Sequence, residues 1–334
     1  MKSFLKRLAL FLSPLGLVAL ALFLIDPMGM FPGPQFFPVV GRMVRASKTN
    51  NYQNSPRDFD TFYLGSSRSL RLDANEASQY GAKAYNFAVF NAMIEDDYVI
   101  ARLVMDRNRT PVKRIFLGID PPMFQQDRPV DWRLILYPPL SVYLHPEDRQ
   151  PPYIYAGRMI QMTARYALRS VRYRLTGGVE KRNTAVVPDN GNLVSTPLPP
   201  QILTPERIES VEKEYLPILA SFHRLGENRV DYLRELVQEC EAKNIELVVF
   251  LTPLSSQVDS FLCANSEYGE RVEDIRTLLE SLKGPHMTWV DFSHPESFGG
   301  NETDFSDGAH IGSINSEALL DSLFRLDESL PVKQ

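Results

Sequence analysis

Two short stretches far apart in the chain carry side chains suited to acyl chemistry. One is Gly65-Ser66-Ser67-Arg68, directly after the apolar run Thr61 to Leu64. A glycine followed by small hydroxyl residues suits a tight turn that exposes a serine at the start of the next helix. Backbone N–H groups at such a turn can stabilise an oxyanion. The other stretch is Asp304-Phe305-Ser306-Asp307-Gly308-Ala309-His310. Asp307 and His310 are three residues apart, so within one turn the carboxylate can reach imidazole Nδ1. That contact fixes the tautomer and leaves Nε2 free to take a serine proton. A neutral serine hydroxyl is a poor nucleophile and needs such a base. The implied chemistry is attack by Ser67, with His310 as base and Asp307 orienting it.

Simpler roles stay open for each residue. Ser67 could cap a helix, and Asp307 could close a loop turn. Asp304 could be the partner of His310, or His310 could lie on the surface. Arg68 could bind an anionic substrate group or be solvated. A metal held by Asp304, Asp307 and His310 is a weak reading, because no Cys/His cluster has ligand spacing; no metal or cofactor is expected. His145, His223, His286 and His294 have no convincingly spaced partner.

Elements must bring the two stretches together. Strands are predicted at Thr61–Leu64, Ala84–Val89, Arg114–Ile119, Ile245–Leu251 and Met287–Val290. Helical patterns fall at 92–107, 230–243, 271–282 and 314–325. Strands alternating with helices predict a three-layer α/β/α domain with a central parallel sheet, of the flavodoxin-like kind. Ligands of such sheets bind beyond the carboxyl ends of the strands, where both stretches would lie. Residues 121–203 break the rhythm with proline-rich segments and a basic helical stretch, Tyr155 to Arg174. They read as an insertion at the edge of the third strand, placed to cover a site. Its tyrosines could stack on sugar rings or simply pack a loop.

The amino terminus has a different character. Lys2, Lys6 and Arg7 precede Leu8 to Ile25, which contains no charged residue. At about 1.5 Å per residue that run extends roughly 27 Å, nearly a bilayer's hydrocarbon core. The basic flank would stay cytoplasmic and the remainder would be exported. The rival is a cleaved signal peptide, although Ala19-Leu20-Ala21 lies inside the apolar run rather than after it. The expected organisation is an anchor over 1–26, a tether over 27–57 and one domain over 58–330. Hydrophobic residues at 44% and charged residues at 23% suffice for a real core. The net charge of −5, with no basic face, argues against a nucleic-acid partner. Cys240 and Cys263 could pair in an oxidising compartment, but read more simply as a buried helix thiol and a loop thiol.

The blocks FYLGSSRS and DGAHIG resemble the first and last blocks of the SGNH/GDSL hydrolase superfamily. The nearest resemblance is to a membrane-anchored branch associated with acyl modification of cell-envelope polymers. It spans about residues 58–327, with 121–203 unmatched. It implies an SGNH hydrolase-like fold with Ser67, Asp307 and His310 as the catalytic set. The second block, 84–91, places Asn91 where the family has an oxyanion-hole glycine; a backbone N–H serves equally there. The third block has Gly118-Ile119-Asp120 where the family has Gly-x-Asn. An ionised Asp accepts but cannot donate, and would repel an oxyanion. Protonation of Asp120, or donation by Arg68 or Asn91, would resolve the conflict, and Gly65 and Ser66 complete the candidate oxyanion and substrate contacts. The expected function is an extracytoplasmic (periplasmic or extracellular) serine esterase or O-acyltransferase, with an acylated glycan or polymer as substrate. The alternative is a non-catalytic binding or assembly partner of a membrane-bound O-acyltransferase.

Overall fold

The computed structural model of the protein describes residues 2–29, 36–41, 43–178, 185–195 and 204–329. The strands are β1 (Thr61–Gly65), β2 (Ala84–Asn86), β3 (Arg114–Ile119), β4 (Glu246–Leu251) and β5 (Met287–Asp291). The helices before β4 are α1 (Lys2–Ile25), α2 (Val44–Asn54), α3 (Ile94–Arg107), α4 (Trp132–Ile135), α5 (Pro138–Ser141), α6 (Ala156–Thr176), α7 (Pro205–Leu219) and α8 (Glu227–Ala242). After it come α9 (Ser256–Asn265), α10 (Tyr268–Leu282) and α11 (Ser313–Ser329).

All strand pairs are parallel, in the order β2-β1-β3-β4-β5. This is the flavodoxin-like order, with its switch point between β1 and β3. Alternate side chains of a strand point to opposite faces, and both faces are covered here. Leu64, Leu117 and Val249 join a core completed by Leu103 of α3, Leu236 of α8 and Ile275 of α10. Tyr63, Phe116 and Phe250 join a second core under Leu320 and Phe324 of α11. The result is a three-layer α/β/α domain. The near-continuous apolar runs of β3 and β4 follow from burial on both faces.

The first turn of α3 couples three elements. Glu95, Asp96 and Asp97 are all fully buried at a helix end whose dipole favours negative charge. Glu95 accepts from Arg229 of α8 at 3.1 Å through two nitrogens. Asp96 accepts from Arg45 of α2 at 2.6 and 2.9 Å. Asp97 accepts from the backbone N–H of Gly65, at the end of β1, at 2.7 Å.

Part of the segment expected as a tether packs into the domain. On α2, Tyr52 inserts among Phe59, Phe62, Tyr85 and Phe87. Lys48 is fully buried, and its Nζ donates to the Asn86 carbonyl at 2.7 Å and to its side-chain oxygen at 3.1 Å. Burial holds this amine well below its ordinary range. The expected anchor over 1–26 takes in α1, in which the side chains of residues 2–12 and of residue 15 are not described. Among the described residues no helix is long and apolar enough to cross a membrane. Cys240 is a buried free thiol and Cys263 an exposed one.

Three helices depart from the sequence expectation. α2 forms within the stretch expected as a tether, and α7 and α9 are helices to which the sequence patterns assigned no element. α7 begins with Pro205 in its first turn, a position where proline's missing N–H costs nothing.

Arg229 and Glu95 are a test of the buried pairs. Arg229→Met leaves Glu95 buried and uncompensated, and should cost about 3–5 kcal/mol in denaturant unfolding. Adding Glu95→Gln should recover a substantial part of that loss; no recovery would mean the pair is not the source of the effect.

Candidate active site

The cleft lies at the carboxyl edge of the sheet, where the chain leaves β1 and β3. Ser66, Ser67, Asp120, Tyr215, Asp307 and His310 line it. Ser67 Oγ donates to His310 Nε2 at 2.8 Å. On the other side of the ring, Nδ1 lies 2.9 and 3.0 Å from the two oxygens of Asp307. An ionised carboxylate only accepts, so Nδ1 carries the proton and Nε2 presents a lone pair to the serine. Burial alone would raise the Asp307 pKa. The hydrogen bond and charge of His310, with the N–H groups of Ala309 and His310, outweigh it and hold Asp307 at about 2. Ser67 caps no helix: a single 3-10 turn, Ser69–Arg71, follows it rather than the expected α-helix, and its N-terminal residue makes no side-chain cap.

The loop that carries His310 is built by its neighbours. Asp304 is buried and accepts from the Asn315 N–H at 2.7 Å, while its own carbonyl accepts from the Gly312 N–H at 2.8 Å. It therefore stitches the loop to α11 and is not the partner of His310. Ser306 N–H donates to the His310 carbonyl at 2.8 Å, closing the turn. Gly308 has φ +85°, and a side chain there would run into Val258.

The predicted oxyanion and substrate contacts need correction at three residues. The N–H of Gly65 is taken by Asp97, so it cannot serve an oxyanion. Ser66 Oγ donates to Asp120, so it is committed to the site's framework. Arg68 is only 2% exposed and does not reach the cleft. Its Nη1 donates to Thr252 Oγ1 at 3.2 Å and its Nη2 to Tyr215 Oη at 3.1 Å, while its Nε lies 3.7 Å from Asp120. An arginine next to a nucleophile looks like a substrate anchor in sequence, but here the turn directs it inward.

Asp120 is accordingly a structural carboxylate. Besides Ser66, it accepts from Thr252 Oγ1 at 2.5 Å, and Arg68 balances its charge. Asn91 does border the cleft, with φ +53°, a conformation asparagine tolerates better than most residues. Among the described residues the backbone N–H groups of Ser67 and Asn91 have no partner.

Tyr215 and Arg128 of the cleft are absent from the sequence reading. Tyr215 accepts from Arg68, which leaves its own O–H to donate elsewhere. Its signal was present in the spacing of Ile208, Val211, Tyr215 and Leu219 along one face of α7. Arg128, from the start of the insertion, brings a guanidinium whose pKa burial lowers. Among the described residues, no tyrosine of the insertion lines this cleft. Nor do the remaining histidines: His145 stacks on Tyr232 at 3.8 Å, and His223 contacts Glu267 on the surface. Among the described residues no group of three potential metal-binding side chains occurs.

No family model matches the chain, and no curated protein matches it. Two solved structures are similar in shape. One, from Streptococcus pneumonia, is provisionally assigned as a platelet activating factor. It shares 9% identity over 93% of this chain and 97% of its own, with a TM-score of 0.41. The other, from Bacteroides fragilis NCTC 9343, is provisionally assigned as an acylhydrolase. It shares 9% identity over 85% of this chain and 93% of its own, with a TM-score of 0.36. Likenesses this distant say nothing about function, which rests on the geometry of the cleft.

Asp97 gives a pH test of the site's support. Burial first, and then the charge of Asp96, push its carboxyl well above the ordinary range, against the Gly65 N–H that lowers it. Its second oxygen is buried without a partner, as suits a neutral acid. A raised folded pKa adds stability that is fully present below the unfolded pKa, about 3.9, and lost as pH rises through the folded value. Asp97→Asn keeps an acceptor for Gly65 and cannot ionise. Its melting temperature relative to the parent should therefore rise as pH is raised from about 4 toward neutrality; a flat difference would mean that Asp97 is ionised throughout.

Proposed function

We propose that the protein is a serine esterase or O-acyltransferase of the SGNH type. Its domain would be exported and held at a membrane by the amino-terminal helix, acting on an acylated envelope glycan or polymer. The observation that carries the catalytic reading is the 2.8 Å contact between Ser67 Oγ and His310 Nε2, with Asp307 behind the ring.

In the proposed reaction His310 Nε2 removes the Ser67 proton as Oγ attacks the acyl carbonyl, and Asp307 stabilises the resulting imidazolium. Collapse expels the alcohol, which takes the proton back from Nε2 and leaves an acyl-enzyme. Water, or a hydroxyl of the acceptor, then attacks by the same steps in reverse. The N–H groups of Ser67 and Asn91 would hold the oxyanion. The O–H of Tyr215 would supply the third donor in place of the family's asparagine amide. Arg68, bound to both Asp120 and Tyr215, links the two: one is balanced and the other is oriented. Support for the membrane and envelope context comes from the charge-free run 8–25 and the resemblance of the two sequence blocks.

The experiment is turnover of a small acyl ester. Ser67→Ala should abolish it while leaving the circular dichroism spectrum unchanged; undiminished turnover would refute the reading. Asp307→Asn leaves the ring in the wrong tautomer and should lower kcat by about 10⁴. Tyr215→Phe removes one donor and should lower kcat on the order of 10²-fold with little change in KM. A rise in KM with kcat unchanged would instead give Tyr215 a role in substrate binding.

A further inference from the structure

We propose that the outward face of α6 docks on the headgroup layer of an anionic lipid bilayer. The proposal does not depend on the catalytic reading, since α6 does not line the cleft. Gly157, Ile160, Ala164, Leu168 and Leu175 are exposed, Leu168 at 75% and Leu175 at 80%. At about 100° per residue they fall within a sector of roughly 80° on the helix surface. Arg158, Arg165, Arg169 and Arg172, also exposed, fall in an adjoining sector of roughly 60°. α6 contains no Asp or Glu, in a chain whose net charge is −5.

The stripe is not a core face turned the wrong way. Ser170 and Tyr166, on the side of α6 away from the stripe, already have partners: Ser170 Oγ donates to the Pro38 carbonyl at 2.6 Å and Tyr166 packs against Gly41, while Ala167 is buried at the stripe's edge. α1 packs beside α6 and itself exposes Leu17, Val18, Leu20, Phe23 and Leu24. An apolar stripe flanked by arginines is the pattern of a helix lying in a membrane interface. The aliphatic side chains enter the acyl boundary while the guanidinium groups reach up to phosphates. Charge complementarity, with four arginines on one flank, Arg174 on the other and no acidic side chain, selects anionic lipid over a neutral apolar partner. On this reading the α6 part of the 121–203 insertion orients the domain on the membrane, while Arg128 at its start lines the cleft.

The test uses the full chain, with Cys263→Ser to remove the exposed thiol, reconstituted into vesicles of phosphatidylcholine alone or mixed with phosphatidylglycerol. An environment-sensitive dye is placed at Leu168→Cys or, as control, at the exposed Glu241→Cys. Nitroxide-labelled lipids serve as quenchers. The dye at 168 should be quenched in the anionic vesicles and the dye at 241 should not. Reversing Arg158, Arg165, Arg169 and Arg172 to Glu should abolish the quenching, and changing the same four to Lys should preserve it. Absence of quenching at 168 in anionic vesicles would overturn the proposal. So would equal quenching in neutral vesicles that survives charge reversal, which reports only closeness imposed by the tether. Disulfide-linked dimers through position 168 without quenching would assign the face to a second copy instead.

Discussion

The hydrogen bond from Ser67 to His310 joins residues 243 positions apart, and most of the architecture around the cleft serves to keep it. One end is fixed by β1, the strand flanked by β2 and β3 near the switch point of the sheet. The other is fixed by a loop between β5 and α11 that Asp304 and Asn315 hold in shape. Neither stretch has intrinsic reason to meet the other. Burial of apolar side chains on both faces of the sheet aligns the strand ends, and hydrogen bonds at the rim then set positions within hydrogen-bonding distance.

Three carboxylates hold the turn and the loop that carry this serine and its histidine, and each is managed differently. Asp97 is fully buried and is driven toward the neutral acid while it holds the Gly65 N–H. Asp120 is offset by Arg68 and saturated by two hydroxyl donors. Asp307 is held low and ionised by the histidine it orients. Environment rather than residue type divides the roles. It also answers the objection an aspartate raised in the sequence: Asp120 faces a framework of donors, and Tyr215 lines the same cleft.

The sequence made the sheet and the meeting of Ser67, Asp307 and His310 legible because both leave strong local signals. The apolar runs of β3 and β4 can be read residue by residue, and the three-residue spacing of Asp307 and His310 states its own geometry. Other features depended on where side chains point after a turn. Arg68 follows the nucleophile directly, yet it turns into the protein, and nothing in Ser67-Arg68-Ser69 announces that. The same applies to Asp120, whose partners come from Ser66 after β1 and Thr252 after β4. Tyr215 was hidden for a different reason. The sequence patterns assigned no helix over 205–219, although the apolar spacing of α7 was there to be counted. The sequence patterns gave Glu95, Asp96 and Asp97 no role beyond the helix over 92–107, and only the packed structure supplies the cations and the N–H that meet them.

The central claim is that the Ser67 oxygen becomes covalently acylated. Intact-mass and peptide mass spectrometry after rapid acid quench from an activated acyl ester tests it directly. The account predicts one added acyl group, on the peptide containing Ser67, that disappears on longer incubation with water or an acceptor hydroxyl. Turnover of the ester with no acyl group on Ser67 at any quench time, or with the acyl group on another residue, would contradict it.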